Sequence, residues 1–349
     1  MKGRVNGMEQ QWKQSLYVYV DQVNKGRVAP GAEQQRSTVR DPRFLLEQGE
    51  RSRRMAQWYQ WRGITPLRSE TGVRTLRTVR QNPSEVVADI ALHSALYYEK
   101  GGITHREDVI ESERLTFVLE GSAWEIAAVE RSVPERNSMR KVVGAEPALR
   151  LSKWGEVLPV PQPSQPLLNR NILRSITSSK EVRYRREEAA AYADRWWKDG
   201  NPEFEVFDVD CTNYVSQCLF AGGAPINYTG KRETGWWYKG YNGAQEWWSF
   251  SWAVSDSLQR YLSAGRSSGL RAEAVERADQ LMLGDVIQYD WDGNGHYQHS
   301  TIVTAFDAAG QPLVNARTVS SRHRFWDYRD SYAWTDRTAY RFFHINDYL

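Results

Sequence analysis

The stretch Phe207–Gly223, FDVDCTNYVSQCLFAGG, decides how this chain is read. Asp208 or Asp210 is a natural N-cap for a helix that runs to about Phe220 and stops at Gly222-Gly223. Cys211 then sits in the first turn, where outward-pointing N–H groups and the positive end of the helix dipole favour thiolate. The same N–H groups are candidate oxyanion donors. Val215 and Cys218 follow at four and seven residues and share the inner face with Cys211, and Tyr214 and Leu219 widen that stripe. Cys218 therefore reads as a small buried filler. Composition alone makes Cys211 a second buried cysteine, but its neighbours Asp210, Thr212 and Asn213 argue against a dry site. The adjacent Asp210 carboxylate works against thiolate formation.

A thiol nucleophile needs a base and an orienting group, near in space but not necessarily in sequence. Four of the six histidines fall from His296 onward. Around two of them the chain reads GDVIQYDWDGNGHYQHSTIVTAFDAAGQPLVNARTV, Gly284–Val319. The pattern predicts strands at Asp285–Tyr289, Ser300–Phe306 and Pro312–Ala316, with turns at Gly293–Gly295 and Ala308–Gly310. His299, at the start of the middle strand, is the candidate base, and Asn315, on the next strand, the group that holds its imidazole. His296 lies in the turn, and His323 and His344 are weaker candidates. His296 and His299 do not read as a zinc pair, because no cysteine or acid completes a ligand set and a spacing of three does not suit one strand face. Asp290, Asp292, Asn294 and Gly295 open like a calcium loop, but the twelfth position is Thr301 where such a loop needs Glu. No metal and no cofactor is expected.

Upstream, Glu9–Val23 and Arg43–Trp61 read as helices. Alternating residues Val86, Ala88, Ile90, Leu92, Leu96 and Tyr98, then Leu115, Phe117 and Leu119, then Trp124, Ile126 and Ala128 predict a helix-flanked antiparallel meander, with a turn at Gly101-Gly102. His93 and His105 are assigned to structure. Pro159, Pro161, Pro163 and Pro166 favour extended chain. The expected division is an N-terminal α+β domain at 1–154, a Pro-rich linker at 155–170 and a second domain at 171–349, opened by a helix at Arg185–Lys198 that Gly200 stops.

The 349 residues exceed what one core usually supports, so two domains are the default. A 40% hydrophobic and 26% charged composition is that of a globular protein. Formal net charge is +3, with the basic residues scattered, which argues against a nucleic-acid partner. Met1–Gln22 lacks a secretory apolar run and no transmembrane segment is visible, so the chain is expected to be cytoplasmic as translated. Two cysteines exclude a disulfide framework. Trp236, Trp237, Trp247, Trp248 and Trp252 cluster, and are read either as packed core or as an aromatic surface for sugar or peptide.

The runs YRREEAAAYADRWW, DCTNYVSQCLFAGG, GDVIQYD, HSTIV and PLVNA, between about Tyr184 and His344, resemble the "putative amidase domain" family, a branch of the papain-like amidohydrolases related to the CHAP-type cell-wall enzymes. The resemblance implies an α+β fold with a papain-like C-terminal domain, its nucleophile helix packed on an antiparallel sheet that carries the histidine. It implies Cys211 as nucleophile, His299 as general base and acid, and Asn315 as orienting group, in a cysteine-dependent amidase acting on peptide or muropeptide amides, with cell-wall association. The Trp group would line the approach. The chain departs from the family pattern at Arg317, where an N-A-H-T run has histidine. Two rival readings are a non-catalytic glycan- or peptide-binding module and an acyl transferase using the same Cys–His pair.

Overall fold

The computed structural model describes residues 2–32, 37–137, 182–241 and 245–349, with side chains from residue 11 onward. The expected Pro-rich linker at 155–170 lies outside the described residues. The chain divides into two compact units, Met1–Ser132 and Val133–Leu349, each mixing helices with antiparallel sheet in an α+β arrangement.

In the first unit, helices α1 (Lys2–Val28) and α2 (Pro42–Arg62) precede strands β1 (Thr65–Gln81), β2 (Glu85–Lys100), β3 (Ile103–Glu120) and β4 (Ala123–Arg131). The strands pair in chain order, all antiparallel. Trp12, Leu16 and Tyr19, spaced to share one helix face, enter a core with Ile90, Leu115, Phe117 and Ile126. Asp41 caps α2 by accepting the Arg43 and Phe44 N–H groups, with Pro42 at its start and Gly63 in the left-handed region at its end. Asp89 is buried and takes hydrogen bonds from Arg77 and Arg114, so its charge is paired. His93 bonds Asp108 at 2.9 Å and His105 stacks on Tyr98.

The second unit contains helices α3 (Arg186–Trp196), α4 (Cys211–Ala221), α5 (Phe250–Ala253) and α6 (Ser255–Leu262). Strands β5 (Tyr238–Tyr241) and β6 (Glu246–Trp248) form a small ribbon. The main sheet uses β7 (Ala272–Val275), β8 (Val286–Asp290), β9 (His299–Phe306), β10 (Pro312–Ala316), β11 (Ser321–Phe325) and β12 (Ala339–Ile345). Its order is β11-β10-β9-β8-β12-β7, antiparallel throughout. Alternate residues of a strand take opposite faces. Ile287, Tyr289, Val303, Val314 and Phe342 make one core with Trp291 and Tyr328, while Ser300 and Asn315 face α4 and α3. Among the described residues, no helix is long and apolar enough to cross a membrane.

Candidate active site

Cys211 is the first residue of α4 and is only 2% exposed. Asp210 stands at the N-cap position, but its side chain does not cap the helix. Its Oδ1 accepts instead from the Phe207 N–H at 3.0 Å and the Asn213 amide at 2.8 Å. The capping oxygen comes from 107 residues away: Thr318 Oγ1 accepts the N–H groups of Asp210 at 2.9 Å and Cys211 at 3.1 Å. The Cys211 N–H expected as an oxyanion donor is therefore already engaged. Thr318 adopts φ +85°, a left-handed conformation that costs a β-branched residue strain.

The thiol lies 3.9 Å from the carbonyl oxygen of Gln298 and 3.7 Å from Thr212 Oγ1. Burial pushes its pKa up; the Ser300 N–H and the Thr212 and Thr318 hydroxyls act in the opposite direction, and Asp210 adds to the rise. Asp210 is itself raised by burial, against the pull of Arg317, whose guanidinium approaches to 3.1 Å. Arg317 thus sets a positive charge against the carboxylate beside the thiol. Behind Cys211 runs a chain of buried hydroxyls: Thr212 to Ser300 at 3.0 Å, Ser300 to Ser255 at 2.9 Å, and Gln288 donating to both serines.

His299 is fully buried at the start of β9, its ring among Tyr289, Trp291 and Tyr328. Neither ring nitrogen has a hydrogen-bond partner among the described residues. Burial, helped by Arg324, pushes its pKa down to about 3, so the imidazole is neutral at pH 7. The thiol thus lies against the peptide groups on either side of His299, while the His299 ring itself packs into the aromatic core, and no hydrogen bond joins the two.

Asn315 is not beside that ring. It pairs across the strands with Ile302, three residues from His299, and an odd separation places the two side chains on opposite faces. Its amide donates to Asp194 at 2.9 Å, and its oxygen accepts from the Thr304 hydroxyl and the His323 N–H. The structure assigns Asn315 to a polar network under α3. The tryptophan expectation is corrected as well: Trp236, Trp237, Trp248 and Trp252 are buried, and Trp247 is half-buried. Trp252 and Trp236 donate to Asn213 and Ser216 of α4, so the cluster braces the cysteine helix. Among the described residues, no group of three or more His, Cys, Asp or Glu is arranged to hold a metal ion. Thr318 and the Arg317–Asp210 pair were not legible as site components, since each acts across about a hundred residues.

Residues 183–343, the segment that carries this geometry, match the family described as Putative amidase domain, a description that points to hydrolysis of amide bonds. Two Bacillus subtilis (strain 168) proteins are similar to the chain. Uncharacterized protein YhbB is 48% identical over 168 residues, covering 48% of this chain and 52% of that protein. Uncharacterized protein YjcM is 25% identical over 142 residues, covering 38% and 30%. The chain thus spans about half, or less, of the length of these relatives. No solved structure matches.

Proposed function

We propose that the unit containing residues 183–343 is a cysteine amidase of papain-like type, with Cys211 as nucleophile and His299 as base and then acid. The observation that supports this best is the seating of the Cys211 thiol at a helix start, against the peptide groups that flank His299. The thiol proton passes to the imidazole, sulfur bonds to the amide carbonyl carbon, and the C–N bond breaks as the imidazolium protonates the leaving amine. Water, deprotonated by the same imidazole, then releases the acid and restores the thiol. The Cys211 N–H serves the oxyanion once substrate displaces Thr318 from it. Peptide and muropeptide amides are the proposed substrates, with cell-wall peptide as the source.

The uncharged, unlinked resting pair favours one second reading, a binding module with a vestigial thiol. Limiting iodoacetamide at pH 7, followed by mass-spectrometric mapping in the wild-type chain and in His299→Ala, separates the two. Labelling of Cys211 ahead of Cys218, slowed in the variant, supports the amidase; equal and slow labelling supports the binding module. Muropeptide digests with an added amine then distinguish hydrolysis from acyl transfer.

A further inference from the structure

The face of the sheet that receives the His299 ring also holds a carboxylate that the Cys211–His299 reading leaves unused. Glu135 belongs to the 3-10 turn Pro134–Arg136, upstream of the residues matched by the amidase family, and is 3% exposed. Its Oε2 accepts from the Ser331 hydroxyl at 2.6 Å. Its Oε1 accepts from the Arg324 guanidinium at 3.3 Å and stands 4.0 Å from His299 Nε2. Arg324 is held in turn by Asp330, at 3.0 Å from Nε to each oxygen, and lies over the Tyr328 ring. The turn is anchored independently of the carboxylate. Trp291 Nε1 donates to the Glu135 carbonyl at 2.9 Å, and Arg136 donates to the Ala333 carbonyl at 2.8 Å and pairs with Asp292.

We propose that Glu135 is the positioning residue of the amidase site, accepting a hydrogen bond from His299 Nε2–H and stabilising the imidazolium that forms when Nδ1 takes the Cys211 proton. This rests on the Cys211–His299 reading. The geometry supplies what that role needs: a carboxylate enclosed with the ring, fixed in direction by Ser331 and Arg324, and one small side-chain shift from hydrogen-bond distance. The group expected from sequence, Asn315, is engaged instead by Asp194, the Thr304 hydroxyl and the His323 N–H. At 4.0 Å Glu135 does not offset the burial and the Arg324 charge that hold the resting ring's pKa down, and it is closure to hydrogen-bond distance that favours the imidazolium. The Nε2-bound tautomer leaves the Nδ1 lone pair as the proton acceptor.

The test is the pH dependence of Cys211 alkylation by iodoacetamide in the full chain, for wild type, His299→Ala, Glu135→Gln and Glu135→Asp, with melting temperature as a check on folding. Glu135→Gln is expected to slow labelling at pH 7 about tenfold, one pKa unit of thiolate, and to move the ionisation midpoint to higher pH. Glu135→Asp keeps the charge and recovers part of both. If His299→Ala labels at the wild-type rate, the Cys–His reading falls and this inference with it. If His299→Ala is slow but Glu135→Gln matches wild type in rate and midpoint, only the Glu135 role is overturned. Should Glu135→Gln fail to fold, the imidazole ¹⁵N spectrum of the wild-type chain decides: an Nε2–H tautomer for His299 is the expected result, and an Nδ1–H tautomer overturns the inference.

Discussion

The sulfur of Cys211 and the carbonyl oxygen of Gln298 lie 3.9 Å apart, which fixes the helix start against the strand start one residue before His299. That contact, with the Ser300 N–H on the other side, seats the thiol at the peptide groups of β9 while the imidazole packs beyond them. Several measurable consequences come from this arrangement and from the residues that hold it.

The two cysteines differ in consequence. On the proposed amidase reading, Cys211→Ser is expected to abolish activity with little effect on melting, whereas Cys218→Ala, on the fully buried face of α4, keeps activity and loses about 1 kcal/mol of stability. Activity assays and denaturant midpoints on the two variants check this.

Acid acts on His299 in a stated direction. Its folded pKa of about 3 lies below the ordinary 6.5, so the unfolded chain binds the proton first and stability falls as pH drops through that interval. The slope from this one group reaches about 1.4 kcal/mol per pH unit. Denaturant midpoints from pH 7 to 4 should fall less steeply in His299→Leu than in wild type.

Thr318 combines a strained backbone with a needed oxygen. Thr318→Ala keeps the positive φ and leaves two helix-start N–H groups without their acceptor, an expected loss of about 1–3 kcal/mol. Thr318→Gly loses the same oxygen but relieves the backbone, so its melting temperature should lie above that of the alanine variant.

Arg317 and Asp210 form a buried pair, and removing one partner strands the other. Arg317→Met is expected to cost about 3–5 kcal/mol and to raise the Asp210 pKa further, since the cation that lowers it is gone. The double variant Arg317→Met with Asp210→Asn should recover part of that loss in thermal melts.

Much of the sheet was legible because its signals are local. Strands Val286–Asp290, His299–Phe306 and Pro312–Ala316 and helix Cys211–Ala221 follow from apolar patterning punctuated by glycine. Strand β1, Thr65–Gln81, was missed because its side chains are exposed or half-buried, so no apolar alternation marks it. Strands β11 and β12 read SRHRF and AYRFFHI, where charges interrupt the pattern. The N-terminal capping oxygen, the face on which Asn315 lies and the approach of Glu135 to His299 depend on partners far along the chain or on pairing register. A shift in the β9–β10 register between Leu313 and Val314 is not written in local composition.

The split between His299 and Ser300, one residue facing the aromatic core and the next facing the cysteine helix, makes the site a readout of strand alignment. A slip of β9 by one position would exchange a ring for a hydroxyl on each side at once. Tyr289 guards against this by pairing with His299 and accepting the Gln298 N–H, and the Gln298 side chain adds a second clasp at the Trp291 N–H. During folding, the seating of the thiol against the Gln298 and Ser300 peptide groups therefore cannot precede the closing of the β8–β9 hairpin, and a chain with a misaligned hairpin would be compact yet lack that seat.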